Sequence, residues 1–286
     1  MTKDQSLSRR RVLLTGTALL GAATTARLFT MDRSTAGQPT AGPQAASPPR
    51  PAPGPHAHQR LRPAAYRLQP LLGYGPPAAR RTRTAIRSKP FVELSGRART
   101  LVLTFDDGPD PRYTPEILRI LRVHRVRAMF FVCGQMVRAH PDLLRAMADD
   151  GHIVGNHTWS HPLLPELSRS AIRAELERTS EAVMQAYGAW PVWFRAPYGA
   201  WNKATFRIGA DLGMEPLGWN VDSLDWQSPG TGAIIARVAD HAAPGAIVLS
   251  HDAGGDRSQT VRALREYLPR LLSSGYRITV PRTTAA

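Results

Sequence analysis

From residue 98 onward the chain alternates short apolar runs with amphipathic stretches. "TLVLTF" (100–105) is β-rich, and "TPEILRILRVH" (114–124) then carries apolar residues at helical spacing. Thr114 is the expected N-cap of that helix, with Pro115 in its first turn. "RAMFFVC" (127–133) is a second apolar run, and "HPDLLRAMADDG" (140–151) is helical up to Gly151. "HIVGNH" (152–157) precedes a long amphipathic helix, 168–188. "VWFRAPYG" (192–199) and "MEPLGWNVDS" (214–223) are the fourth and fifth strand-like runs, with a helix over 202–213 between them. A helix over 230–243, the run "AIVLSHD" (246–252), a helix over 258–275 and "YRITV" (276–280) complete the series. About seven strands alternating with helices predict a parallel sheet curled into a distorted (β/α) barrel.

The polar residues fall where such a fold would use them. Asp106 and Asp107 follow the first run, His157 the third, Arg195 the fourth, Asp222 and Asp225 the fifth and His251 the sixth. In a βα barrel those strand ends converge on one face, where active sites sit. Two adjacent carboxylates behind an apolar run repel each other and need a counter-charge. "NHTWSHP" (156–162) offers one: His157 and His161 stand at i, i+4, and on a helical turn both imidazoles would share a face. Two His and one Asp can hold a divalent cation and leave positions open for water and substrate. Zinc is the first choice for that donor set, with cobalt or manganese able to serve. One carboxylate suffices as ligand, which leaves the other free to act as a base. Trp193, Trp201, Trp219 and Trp226 are packing residues or sugar platforms, Trp226 the best candidate of the four. Asp222 is expected to fix its loop.

Composition changes the picture only at the N-terminus. Residues 1–100 hold 17 Lys+Arg and 3 Asp+Glu, and the remainder 20 and 19, so almost all of the net +15 lies in the first third. "SLSRRRVLLTG" followed by a short apolar stretch has the order of a twin-arginine export signal, and the stretch falls short of the ~20 apolar residues of a membrane span. An export signal is expected over 1–36, a Pro/Ala-rich basic linker over 37–85 and one catalytic domain over 86–286. The protein is then expected outside the cell or on its wall, or tethered to the membrane if the signal stays uncleaved. The basic third would contact an anionic wall or membrane surface. No nucleic-acid-binding signature is present, and a monomer is expected. The single cysteine, Cys133, excludes an intrachain disulfide and reads as a small buried hydrophobe.

"TFDDGP", "HTWSH", "RAPYG", "DSLDW" and "LSH" stand in the order of the five motifs of the NodB-type polysaccharide deacetylases, carbohydrate esterase family 4, which the chain resembles. The resemblance covers about residues 98–280. It implies Asp106 as catalytic base and Asp107, His157 and His161 as metal ligands. Arg195 would orient Asp106, and the backbone N–H of Tyr198 would help hold the oxyanion. His251 would be the general acid with Asp225 as its partner, and Trp226 and Leu249 would line the pocket for the acetyl methyl. The implied activity is removal of N-acetyl groups from GlcNAc-type units of peptidoglycan or chito-oligosaccharide. An O-acetyl esterase acting on xylan and a catalytically silent carbohydrate-binding domain are the alternatives.

Overall fold

The computed structural model describes residues 82–94 and 99–281. The expected export signal and nearly all of the expected linker lie outside them. The strands are β1 (Thr100–Asp106), β2 (Met129–Val132), β3 (Ile153–Asn156), β4 (Trp193–Phe194), β5 (Glu215–Pro216), β6 (Val221–Asp222), β7 (Ile247–His251) and β8 (Arg277–Ile278). All ladders between them are parallel, in the order β5-β4-β3-β2-β1-β7-β6, with β8 beside β1. The helices are α1 (Thr114–Val123), α2 (Gly134–Ala139), α3 (Pro141–Asp149), α4 (Arg169–Tyr187), α5 (Lys203–Asp211), α6 (Thr231–Asp240) and α7 (Ser258–Ser273).

The fifth apolar run is two strands. Its first part, β5, pairs with β4 at one end of the sheet, and its last part, β6, pairs with β7 at the other. Residues 217–220 therefore carry the chain between the two edges, and the sheet curls into the distorted barrel. The carbonyls of Leu217 and Gly218 in this bend accept hydrogen bonds from Arg195.

Alternation along β1 sorts its side chains. Leu101, Leu103 and Phe105 face the helices and join the main core with Ile117, Phe130 and Leu264. Val102 faces inward with Met129, Phe131 and Ile247. Each fully buried Leu or Phe of this kind contributes about 1.5–3 kcal/mol. Thr104 and Asp106 continue the inward row toward the strand tip. Thr114 is the first helical residue of α1, preceded by Tyr113 at the cap, so it is not the expected N-cap. Its hydroxyl instead accepts from the Asp110 N–H and donates to Asp252. Residues 82–94 lie on the domain, the Thr84 N–H donating to the Ala210 carbonyl and Arg87 pairing with Glu215 at 3.0 Å.

Candidate active site

Successive strand residues point to opposite faces, so Asp106 and Asp107 should not share a pocket. They do, because Asp107 leaves the strand in a left-handed conformation, φ 76°. Both side chains line a cleft of about 740 Å³ at the strand tips, together with His157, His161, Tyr198, Asp222, Trp226, Leu249 and His251. The loop after β7 makes room for Asp107. Gly254 has φ 73°, and a Cβ there would stand 2.5 Å from the Asp107 carboxylate.

The two imidazoles converge without a helical turn. Residues 157–161 are irregular, with Thr158 and His161 in the left-handed region at φ 72° and 58°. Asn156 Oδ1 accepts from the Thr158 N–H, and Thr158 Oγ1 from the His161 N–H. Glu175 on α4 accepts from the Trp159 and Ser160 N–H groups and from the Ser160 hydroxyl. His157 Nδ1 lies 2.9 Å from the Arg195 carbonyl, which fixes the tautomer that leaves Nε2 as the free donor atom.

Asp107, His157 and His161 place one ligand atom each within 4.8 Å of one another. Asp107 Oδ1 stands 3.4 Å from His157 Nε2 and 3.3 Å from His161 Nε2, yet this buried oxygen has no hydrogen-bond partner. Tetrahedral zinc with bonds of about 2.0–2.1 Å has ligand–ligand edges of about 3.3–3.4 Å. The two edges from Asp107 match that spacing, and the three residues fit a divalent metal. Burial pushes the Asp107 carboxyl up, but His157, His251 and His161 outweigh it and bring it down to about 2. Burial and the neighbouring His157 lower His161, which favours the neutral ligand form.

Asp106 is buried, and its Oδ1 takes a 2.7 Å hydrogen bond from Arg195 Nη1. Arg195 is fully buried, so it is no surface ion pair. Its remaining donors reach Thr104 Oγ1 and the Leu217 and Gly218 carbonyls, and its guanidinium lies 4.2 Å from the Phe131 ring centre. Burial of an ion costs several kcal/mol unless such partners are present, so this arginine, its carboxylate and the barrel bend form one unit.

His251 stands opposite Asp106 on the neighbouring strand. Its Nδ1 is 2.7 Å from Asp225 Oδ1, and its backbone N–H donates to Asp225 Oδ2. Burial lowers the His251 pKa, but the hydrogen bond and charge of Asp225 prevail and raise it to about 9. Burial likewise pushes Asp225 up, and His251 and Thr260 turn the balance downward. Asp222 accepts from the Leu224 N–H, and burial raises its carboxyl. Tyr198 has φ 61°, sets its ring edge-on to His161 at 4.6 Å and is largely exposed, as is half of Trp226. Trp193 is buried and Trp201 stacks on Phe206, so both pack, while Trp219 also lines the cleft. Cys133 is buried in the cleft wall, and burial raises its thiol pKa well above the usual range.

Four residues not predicted from the sequence support these groups. Thr104 ties Arg195, Thr260 donates to Asp225 Oδ2 at 2.7 Å, and Arg257 bonds the carbonyls of Ala253, Gly254 and Asp225. Asp252 is fully buried beneath Gly108, and burial with the nearby Asp107 and Asp106 charges raises it to about 7 despite the Thr114 hydroxyl. Only Asp252 has a visible signal, a carboxylate ending an apolar run beside His251.

A parallel βα barrel with a two-His, one-Asp cluster and a His–Asp pair at its strand tips has the layout of a hydrolytic site. Residues 94–217 match the family model described as "Polysaccharide deacetylase". The chain is 41% identical over 205 residues to a chitooligosaccharide deacetylase from Rhizobium leguminosarum bv. trifolii, covering 68% of this chain and 95% of that protein. It is 37% identical over 187 residues to a peptidoglycan-N-acetylglucosamine deacetylase from Bacillus cereus, 65% and 87% covered. A solved peptidoglycan N-acetylglucosamine deacetylase superposes with a TM-score of 0.64 at 31% identity, covering 67% of this chain and 89% of that one. A family 4 pseudoenzyme from Bacillus anthracis also superposes, with a TM-score of 0.63 at 30% identity and coverages of 68% and 67%. The chain belongs to the polysaccharide deacetylase family, carbohydrate esterase family 4.

Proposed function

We propose that the chain hydrolyses the N-acetyl amide of GlcNAc-type units in peptidoglycan or chito-oligosaccharide and releases acetate, using a divalent cation, zinc by choice. The observation that carries this reading is the convergence of Asp107, His157 and His161 beside a buried Asp106–Arg195 pair and a His251–Asp225 pair. Asp107, His157 and His161 would hold the cation, which supplies Lewis acidity to the acetyl oxygen and to a water molecule.

The remaining steps belong to the chain's own groups. Asp106, anchored by Arg195 through one oxygen, is assigned as the base that takes the proton of the attacking water. The backbone N–H of Tyr198 is assigned to the developing oxyanion. An amine leaves only after protonation, and His251 is assigned as the acid that delivers that proton. With a cation present the charges of Asp106 and Asp107 are offset, so Asp225 is the group that keeps His251 protonated. Trp226 and Leu249 would receive the acetyl methyl, and Asp222 would hold the loop that carries Asp225.

Acetate release from peptidoglycan, chitopentaose and acetylxylan with added zinc tests the reading. Release from the first two and little from acetylxylan is expected; acetylxylan as the sole substrate would replace the amidase by an esterase.

A pH dependence follows with a definite sign. His251 acts in its protonated form, so activity falls as pH rises through its pKa, which burial lowers and the hydrogen bond and charge of Asp225 raise. Asp225→Asn removes that charge and should move the basic limb of the kcat profile to lower pH, with an unchanged limb counting against the pairing.

The expected export to the outside of the cell or the wall is retained as part of this proposal. It is supported by the "SRRRVLL" order and the basic first third. A chain beginning at Thr82 should keep its rate on chitopentaose and bind an anionic wall less tightly at low salt. Loss of the chitopentaose rate in a folded truncated chain would show that the missing residues serve catalysis.

A further inference from the structure

We propose that an arginine groove on the flank of the barrel binds a carboxylate-bearing peptide branch of the glycan. This inference rests on the deacetylase reading and narrows its substrate. The groove, of about 400 Å³, runs between α2 and α3 on one side and α4 on the other. Arg138 of α2, Arg145 of α3 and Arg178 of α4 line it, and all three are exposed. Glu181 is the one acidic residue in its wall. Among the described residues none of the three arginines makes an ion pair, whereas Arg87, Arg112, Arg122 and Arg173 are each matched to a carboxylate.

The groove is joined to the catalytic cleft by one side chain. Trp159 lines both, within the segment that carries His157 and His161. The Arg178 guanidinium lies 3.6 Å from the centre of its ring, and that of Arg138 lies 5.6 Å from it. Arg178 is thereby held at the border between the two, which lowers the entropy cost of using it. A neutral glycan offers no negative charge for three guanidinium groups to pair with. A carboxylate does, through the planar fork that makes arginine its preferred partner. A glycan in the cleft whose neighbouring sugar bears a peptide would direct that branch over Trp159 and down the groove, where its carboxylates meet the arginines.

The test compares the full chain with the double variant R138Q/R145Q, which spares Arg178 and its packing on Trp159. Three substrates are used: glycan strands with peptide branches, the same strands stripped by an amidase, and chitopentaose. The variant should lose about three- to tenfold in kcat/KM on the branched strands, the scale of two exposed charge pairs. It should match the parent on the other two, and its salt dependence on branched strands should flatten. Co-sedimentation with branched strands should weaken in parallel. Equal losses on branched and stripped strands, or no loss on either, would overturn the groove. Because the sedimentation arm needs no turnover, a chain that binds through these arginines but releases no acetate would retain the groove and sink the deacetylase reading.

Discussion

Asp107→Ala should purify without its metal, while Asp106→Asn should keep the metal and still lose turnover by about 10²–10⁴-fold, the usual contribution of a positioned proton transfer. The two residues are neighbours in sequence, but the structure gives them different surroundings. Asp107 Oδ1 faces two imidazole nitrogens at 3.3 and 3.4 Å and has no hydrogen bond, which suits the proposed ligand role. Asp106 is tied by one oxygen to Arg195, and its other oxygen stands 3.7 Å from His157 Nε2, beside the proposed metal donors. His161→Ala should behave like Asp107→Ala. Metal content by mass spectrometry, measured beside acetate release on the same samples, separates the two classes. Asp106→Asn free of metal, or fully active, would abolish the division of labour.

His251→Ala should cripple deacetylation of GlcNAc oligomers by about 10²–10⁴-fold and cost far less on 4-nitrophenyl acetate. The difference lies in the leaving group. An amine must be protonated before it departs, whereas 4-nitrophenolate leaves unaided. The surroundings of His251 suit proton delivery, since Asp225 accepts from its ring and its backbone N–H, and the Asp225 carboxylate is buried. Metal content should be unchanged in the variant, since His251 is not among the clustered donors. Equal losses on amide and activated ester would mean that His251 binds substrate or supports the metal instead.

Much of this arrangement was legible in the chain because parallel βα units leave a strong apolar rhythm and put polar residues at strand tips. The bend at residues 217–220 was not, since Leu217 and Trp219 continue the apolar pattern and only long-range pairing splits β5 from β6. The short helix α2 escaped because six residues carry too little periodicity. The i, i+4 spacing of His157 and His161 marks the pair in the sequence, but no helical turn carries it. What brings the rings together is Thr158 and His161 in left-handed conformations, braced by Asn156 and by Glu175 from a distant helix. Arg257 and Thr260 act through contacts around Asp225 that no local pattern announces.

The proposed amide hydrolysis depends on a cation that the donor cluster at the strand tips would hold. Acetate release from chitopentaose should vanish when the full chain is treated with a chelator and return on adding about one equivalent of zinc, matching the one donor cluster among the described residues. Undiminished release from protein shown to be free of metal would contradict that dependence.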